Sequence, residues 1–207
     1  IRDNSEIVKD IVDNLVKHGL PLSLMQQWDG MEGTRRMILI TGHRRENFGQ
    51  GIEQICEAIS DLAQEYQNVD FVYPVHLNPN VQKPVMEVLG KNTQTGRSNI
   101  YLIKPLQYLP FVYLMERCYL VVTDSGGIQE EAPSLAKPVI VMRNETERPE
   151  GVESGTVILT GANKRRIKHE VSKLLNDSKY YQFISAAINP YGDGTASIRI
   201  SEVISHN

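Results

Sequence analysis

Short continuous apolar runs alternate along the chain with segments whose apolar residues recur every three or four positions. Met37-Ile38-Leu39-Ile40-Thr41 is the first such run, and polar residues follow it to Gln50. Ile52, Ile55, Cys56, Ile59, Leu62, Ala63 and Tyr66 then form one stripe of a helix. Residues 70–75 predict a second strand, and a helix follows from near Asn80 to Gly90, where glycine suits a C-cap. The polar stretch 92–99 predicts a loop. Strands at 100–103, 119–123 and 139–142 alternate with helices at 109–118 and 128–135. A charged loop spans 143–154, a sixth strand 156–159, and two helical stretches 164–175 and 180–187. Asn189-Pro190-Tyr191-Gly192-Asp193-Gly194 breaks the pattern before a last amphipathic segment.

Six apolar runs without in-and-out alternation, separated by helices, imply a parallel sheet covered on both faces. The expected fold class is α/β, a doubly wound, Rossmann-like domain over 37–188. Ile7, Ile11, Val12, Leu15 and Val16 suggest a helix within a lead-in or interdomain segment, 1–36, with a loop around Gly30 and Gly33. Residues 189–207 form a C-terminal tail helix in this expectation. The chain opens on Ile1 rather than methionine, which suggests a piece of something longer.

Composition narrows the function classes. In 207 residues, 41% are apolar and 23% charged, enough for a packed core. The net charge of -3 gives no general attraction to nucleic acid or an anionic membrane, so an anion must be held by a local site. No apolar run approaches the ~20 residues that span a bilayer. Cys56 and Cys118 read as buried, reduced thiols of a cytoplasmic protein. No spacing of His, Cys, Asp and Glu suggests a metal, and no cofactor is called for.

In open parallel sheets, ligands bind beyond the carboxyl ends of the strands. Those ends carry Gly42-His43-Arg44-Arg45-Glu46-Asn47, His76, Lys104, Asp124-Ser125-Gly126-Gly127 and 143–148. Cationic and hydrogen-bonding groups thus recur at one rim of a net acidic chain, which suggests a small anionic ligand. The informative stretch is Thr123 to Ala132: a strand stops, two glycines remove side chains, and a helix begins. Phosphate can approach such first-turn amides closely. Ser125 adds a hydroxyl, and Glu131, set back from the phosphates, suits two ribose hydroxyls. The alternative is an Asp/Ser N-cap on a tight turn with no ligand.

His43 can donate to a pyrophosphate or act as an acid toward a leaving group; the alternative is an ordinary loop histidine. Arg44, Arg45 and Glu46 form either an anion clamp or a mutually paired turn. His76 has a structural role by default, and Arg148 an ion pair within its own loop. Phe111 and Tyr108 belong to helix packing, or one ring stacks on a base. Lys164-Arg165-Arg166 with Lys168 reads as a solvated basic face.

Thr41-Gly42-His43-Arg44-Arg45-Glu46-Asn47, Pro74-Val75-His76-Leu77-Asn78-Pro79-Asn80, residues 124–133, Glu147-Arg148-Pro149-Glu150 and residues 189–194 occur in this order in the non-hydrolysing bacterial UDP-N-acetylglucosamine 2-epimerases. From about Met37 onward the chain resembles the C-terminal half of that family. The resemblance implies the C-terminal domain of a glycosyltransferase-B-type two-domain enzyme. Such an enzyme interconverts UDP-N-acetylglucosamine and UDP-N-acetylmannosamine by UDP elimination and re-addition, for surface polysaccharide synthesis. It implies that Ser125, Gly126 and Gly127 meet the diphosphate, Glu131 the ribose, and Phe111 with its preceding loop the uracil. It places catalytic His43, with Arg148, near the reacting sugar, and Arg44 and His76 at a regulatory site for a second nucleotide-sugar. Leu106 stands where family members often carry glutamine. The implied partners are UDP-N-acetylglucosamine or UDP, a missing N-terminal Rossmann-like domain that carries the C2 base, and a second copy in a homodimer. Without that domain, little or no turnover is expected of this chain. A glycosyltransferase nucleotide domain of the same architecture and a non-catalytic nucleotide sensor are the alternatives.

Overall fold

A computed structural model describes residues 5–28, 34–93, 99–192 and 194–205. The loop expected around Gly30 and Gly33 lies outside the described residues, as does most of the loop expected at 92–99 and Asp193. Six strands form one parallel sheet in the order β3-β2-β1-β4-β5-β6. They are β1 (Arg36–Thr41), β2 (Val69–Pro74), β3 (Ile100–Ile103), β4 (Leu120–Thr123), β5 (Val139–Val141) and β6 (Val157–Leu159). This is the expected doubly wound, Rossmann-like α/β class. The order reverses between β1 and β4, whose last residues pair, Thr41 with Thr123. The chain leaves these two strands for helices on opposite faces of the sheet, the place where such folds bind ligands.

The apolar runs lack alternation because each strand feeds two cores. On one face Ile38, Ile40, Phe71, Val122 and Ile140 pack under α3 (Gln50–Glu65), α4 (Pro79–Val88), α9 (Lys164–Asn176) and α10 (Ser178–Ser185). On the other, Met37, Leu39, Val72, Val121 and Val139 meet α6 (Tyr108–Arg117) and α7 (Gly126–Ser134). Residues 5–28 join this second core through Ile11 and Leu15 of α1 (Ser5–Lys17), Leu24 and Met25 of α2 (Leu22–Met25), and Trp28. Their packing is anchored at Asp70, fully buried near the start of β2. Its carboxylate accepts from Trp28 Nε1 at 2.8 Å and from Arg35 Nε at 2.8 Å and a second guanidinium nitrogen at 2.6 Å.

Local caps explain several boundaries. The Asn78 side chain accepts from the Asn80 amide at 2.9 Å with Pro79 at the first turn, so α4 starts slightly before the predicted Asn80. Gly90 does not cap it. The helix ends at Leu89 in right-handed geometry, and Gly90 opens a further helical turn, α5 (Gly90–Thr93). The predicted charged loop 143–154 contains a short helix, α8 (Pro149–Glu153), with proline at its first turn. The last helix, α11 (Ala196–Ser205), buries none of its residues, and Ile198, Ile200, Val203 and Ile204 are exposed on it.

Candidate functional site

The β1–β4 pairing brings the loop after β1 against the turn after β4, and one buried carboxylate joins them. Asp124, 1% exposed, accepts from the His43 amide at 2.9 Å, the Arg44 amide at 2.8 Å and Asn47 Nδ2 at 3.2 Å, all at Oδ2. Its Oδ1 shares the His43 amide at 3.1 Å and lies 3.6 Å from His43 Nδ1. Buried Asn47 also donates to the Met142 carbonyl at 3.2 Å, tying in the loop after β5. Gly42 keeps this junction tight: a Cβ would sit 3.3 Å from both Met142 Cε and the Tyr73 hydroxyl, which would have to give way. Asp124 therefore caps no helix, contrary to the alternative weighed for it. The N-cap of α7 is Ser125, whose side chain makes no capping bond, while its amide donates to Thr123 Oγ1 at 3.0 Å.

The first turn of α7 consequently opens on two residues without side chains, Gly126 and Gly127. The first-turn amides of Gly126, Gly127 and Ile128 have no helical acceptor by construction, and they sit at the positive end of the helix dipole. Arg44 faces them, with a guanidinium nitrogen 3.7 Å from where a Cβ on Gly126 would stand. Glu131 lies one turn in, its carboxylate 3.8 Å from the Cβ position of Gly127, and accepts from the exposed Tyr108 hydroxyl at 3.1 Å. That bond raises the Tyr108 phenol above its ordinary value. Phe111, one turn along α6 from Tyr108, is half-buried against the second core.

Ion pairs order the rest of the rim. Arg143, nearly buried, donates to Glu46 at 2.6 Å and to both oxygens of Glu147, the second at 3.0 Å. The Arg143 hydrogen bond, helped by a backbone amide, holds the Glu147 carboxyl down to about 2. Arg44 stands 3.7 Å from the same carboxylate. Arg148 pairs with Glu130 on α7 rather than within its own loop. Its backbone is held by Thr146 Oγ1 at 3.1 Å, and that hydroxyl donates to buried Gln129 at 2.6 Å. Gln129 Nε2 in turn donates to the Ser125 carbonyl at 3.1 Å, so the Ser-Gly-Gly turn and the Arg148 loop form one unit.

The family model described as UDP-N-acetylglucosamine 2-epimerase matches residues 8–205. The chain belongs to this family. The epimerase relative from Escherichia coli (strain K12) is 57% identical over 173 residues, which cover 84% of this chain and 45% of the relative. A crystal structure of UDP-GlcNAc 2-epimerase from Neisseria meningitidis, bound to UDP-GlcNAc, aligns at a TM-score of 0.78 with 42% identity, covering 97% of this chain and 52% of that one. The chain spans about half the length of the curated relatives it matches. The C-terminal domain of a glycosyltransferase group 1 family protein from Francisella tularensis shares the fold, at a TM-score of 0.62 and 21% identity over 84% of this chain and 93% of that one.

In this epimerase-family chain, His43, Arg44, Ser125, Gly126, Gly127 and Glu131 gather around the α7 mouth. His76 joins them by stacking on His43, with ring centroids 5.3 Å apart and planes at 20°. Arg148 stands beside Glu130, the residue before Glu131 on α7. Asn47, Gln129 and Arg143 received no role from the sequence, and Asp124 received only that of an N-cap. A polar residue inside an apolar helix stripe was the available signal for Gln129; nothing local marked Asn47 or Arg143. Among the described residues, no group of three or more His, Cys, Asp and Glu side chains can hold a metal ion, and no helix is long and apolar enough to cross a membrane.

Proposed function

We propose that this chain is the nucleotide-binding half of an enzyme that interconverts UDP-N-acetylglucosamine and UDP-N-acetylmannosamine. The observation that carries this reading is the bare α7 mouth, with Gly126 and Gly127 at its first turn and the Arg44 guanidinium facing it. Such an array suits a diphosphate, whose charge grows as the bond to the sugar breaks. Ser125 adds a hydroxyl, Glu131 accepts from the ribose, and Phe111 with the loop before it lines the uracil. His43 and Arg148 act at the departing diphosphate and the sugar. Arg44 and His76 receive a second nucleotide-sugar, and Arg44's place beside Gly126 would let that molecule bear directly on the first. The UDP-GlcNAc held by the Neisseria meningitidis relative supports the ligand class.

By the family resemblance, the base for the C2 proton belongs to a domain outside this chain. Four carboxylates of the rim already have donors: Glu46 and Glu147 pair with Arg143, Glu130 with Arg148, and Glu131 accepts from Tyr108. The family resemblance further implies a cytoplasmic homodimer serving surface polysaccharide synthesis. Calorimetric titration of the 207-residue chain with UDP tests the proposal, and weak saturable binding is expected; no binding refutes it. In deuterated water with UDP-N-acetylglucosamine, the chain alone should leave C2 undeuterated. Incorporation would refute the assignment of the base to another domain.

A further inference from the structure

The deepest charged group beneath the proposed diphosphate seat is Asp124, and its two oxygens are used unequally. Oδ2 accepts the His43 and Arg44 amides and Asn47 Nδ2. Oδ1 receives, among the described contacts, only a share of the His43 amide, and it is the oxygen 3.6 Å from His43 Nδ1. That separation is longer than a hydrogen bond, as catalytic contacts often are before a ligand tightens them. A carboxylate can only accept, and a neutral imidazole carries one donor and one acceptor nitrogen. Beside Oδ1, Coulomb attraction therefore favours an Nδ1–H over a bare Nδ1 lone pair.

We propose that Asp124 is a positioning residue that fixes His43 as the Nδ1–H tautomer. The Nε2 edge, turned away from the carboxylate, is then the only ring atom at which a proton is gained or lost. In the epimerase reading, on which this purpose rests, the proton moves between Nε2 and an oxygen of the departing diphosphate while Nδ1–H stays on Asp124. The carboxylate also balances the charge of the imidazolium form, and its amide partners keep it from repelling the phosphate. The same arrangement sets tautomers in other carboxylate–histidine pairs, where an amide in place of the acid yields the wrong one.

The stacked partner supplies an internal reference. The Asn78 amide donates to His76 Nδ1 at 3.1 Å, so a neutral His76 carries its proton on Nε2. Two rings 5.3 Å apart should hold opposite tautomers. Long-range proton–nitrogen NMR of the ¹⁵N-labelled chain, without nucleotide and above the pH at which both rings are neutral, reads this directly.

For His43 the Nδ1–H form should predominate about threefold or more, since at 3.6 Å the carboxylate attracts an N–H and repels a lone pair before any hydrogen bond forms. His76 should show Nε2–H. Asp124→Asn, with the backbone spectrum otherwise retained, should bring the His43 ratio below one and leave His76 unchanged. His76→Phe should leave His43 as Nδ1–H. An Nε2–H His43 in the unmodified chain overturns the proposal whether or not Asp124→Asn folds. So does a His43 that switches in His76→Phe. An Nδ1–H His43 in a chain that fails to bind UDP supports the positioning and overturns the nucleotide reading. An Nε2–H His43 in a chain that binds UDP does the reverse.

Discussion

Replacing Gly127 by alanine separates what the fold needs at the α7 mouth from what a phosphate needs. Gly127 is the second residue of the helix after the Ser125 cap, and its φ is not among the left-handed ones. An added Cβ would meet only Glu131 Oε1, at 3.8 Å, an ordinary contact. The folded state therefore accepts the methyl, and the unfolded state loses freedom. Alanine should gain about 0.5 kcal/mol over glycine at this end position. In a domain of this size that raises Tm by about 1–2 °C. The same methyl stands where a phosphate would approach the first-turn amides. Loss of one hydrogen bond to a charged oxygen, about 1.5–3 kcal/mol, weakens UDP binding by about tenfold to a hundredfold. A thermal melt and a calorimetric titration on the same preparation read both quantities. Unchanged UDP affinity in a stabilised Gly127→Ala chain would show that the glycine shapes a turn and serves no anion. A fall in Tm would show that the helix mouth is strained in a way these contacts do not reveal.

Other perturbations test the frame around the site. Asp70→Asn leaves Arg35 without its charge partner and should cost about 2–3 kcal/mol in urea unfolding, less than for a fully buried pair because Arg35 is one-quarter exposed. Glu147 should titrate near pH 2 by carbon NMR, and Arg143→Ala should return it toward 4.5. Because its folded pKa is depressed, the stability it lends is complete above its unfolded pKa and is lost as pH falls from about 4.5 toward 2. Burial pushes both thiols, Cys56 and Cys118, up to about 12, so neither should react with a thiol-disulfide reagent at pH 8 until the chain unfolds.

The sheet was legible because its signal is local. Each buried strand is a short apolar run, and each face of β1 finds its own helices, so no alternation obscures the pattern. The Ser-Gly-Gly turn was legible for the same reason, since strand, glycines and helix are consecutive. Gly90 misled because a glycine after an amphipathic helix is usually a stop, yet here right-handed geometry continues through it into α5. Asp124 and Arg143 were not legible. The donors that occupy Asp124 lie 77 to 81 positions earlier, and Glu46 lies 97 positions before Arg143. Only the pairing of β1 with β4, and of β4 with β5, brings those charges together.

The Trp28–Arg35–Asp70 cluster sits at the amino-terminal edge of the sheet, while every candidate ligand contact sits at the carboxyl-terminal edge. Stabilising changes for storage can therefore be sought at the lower edge, around that cluster but not within it. Screens for altered sugar or base preference can be confined to the upper one, and gains from the two campaigns should combine without interference.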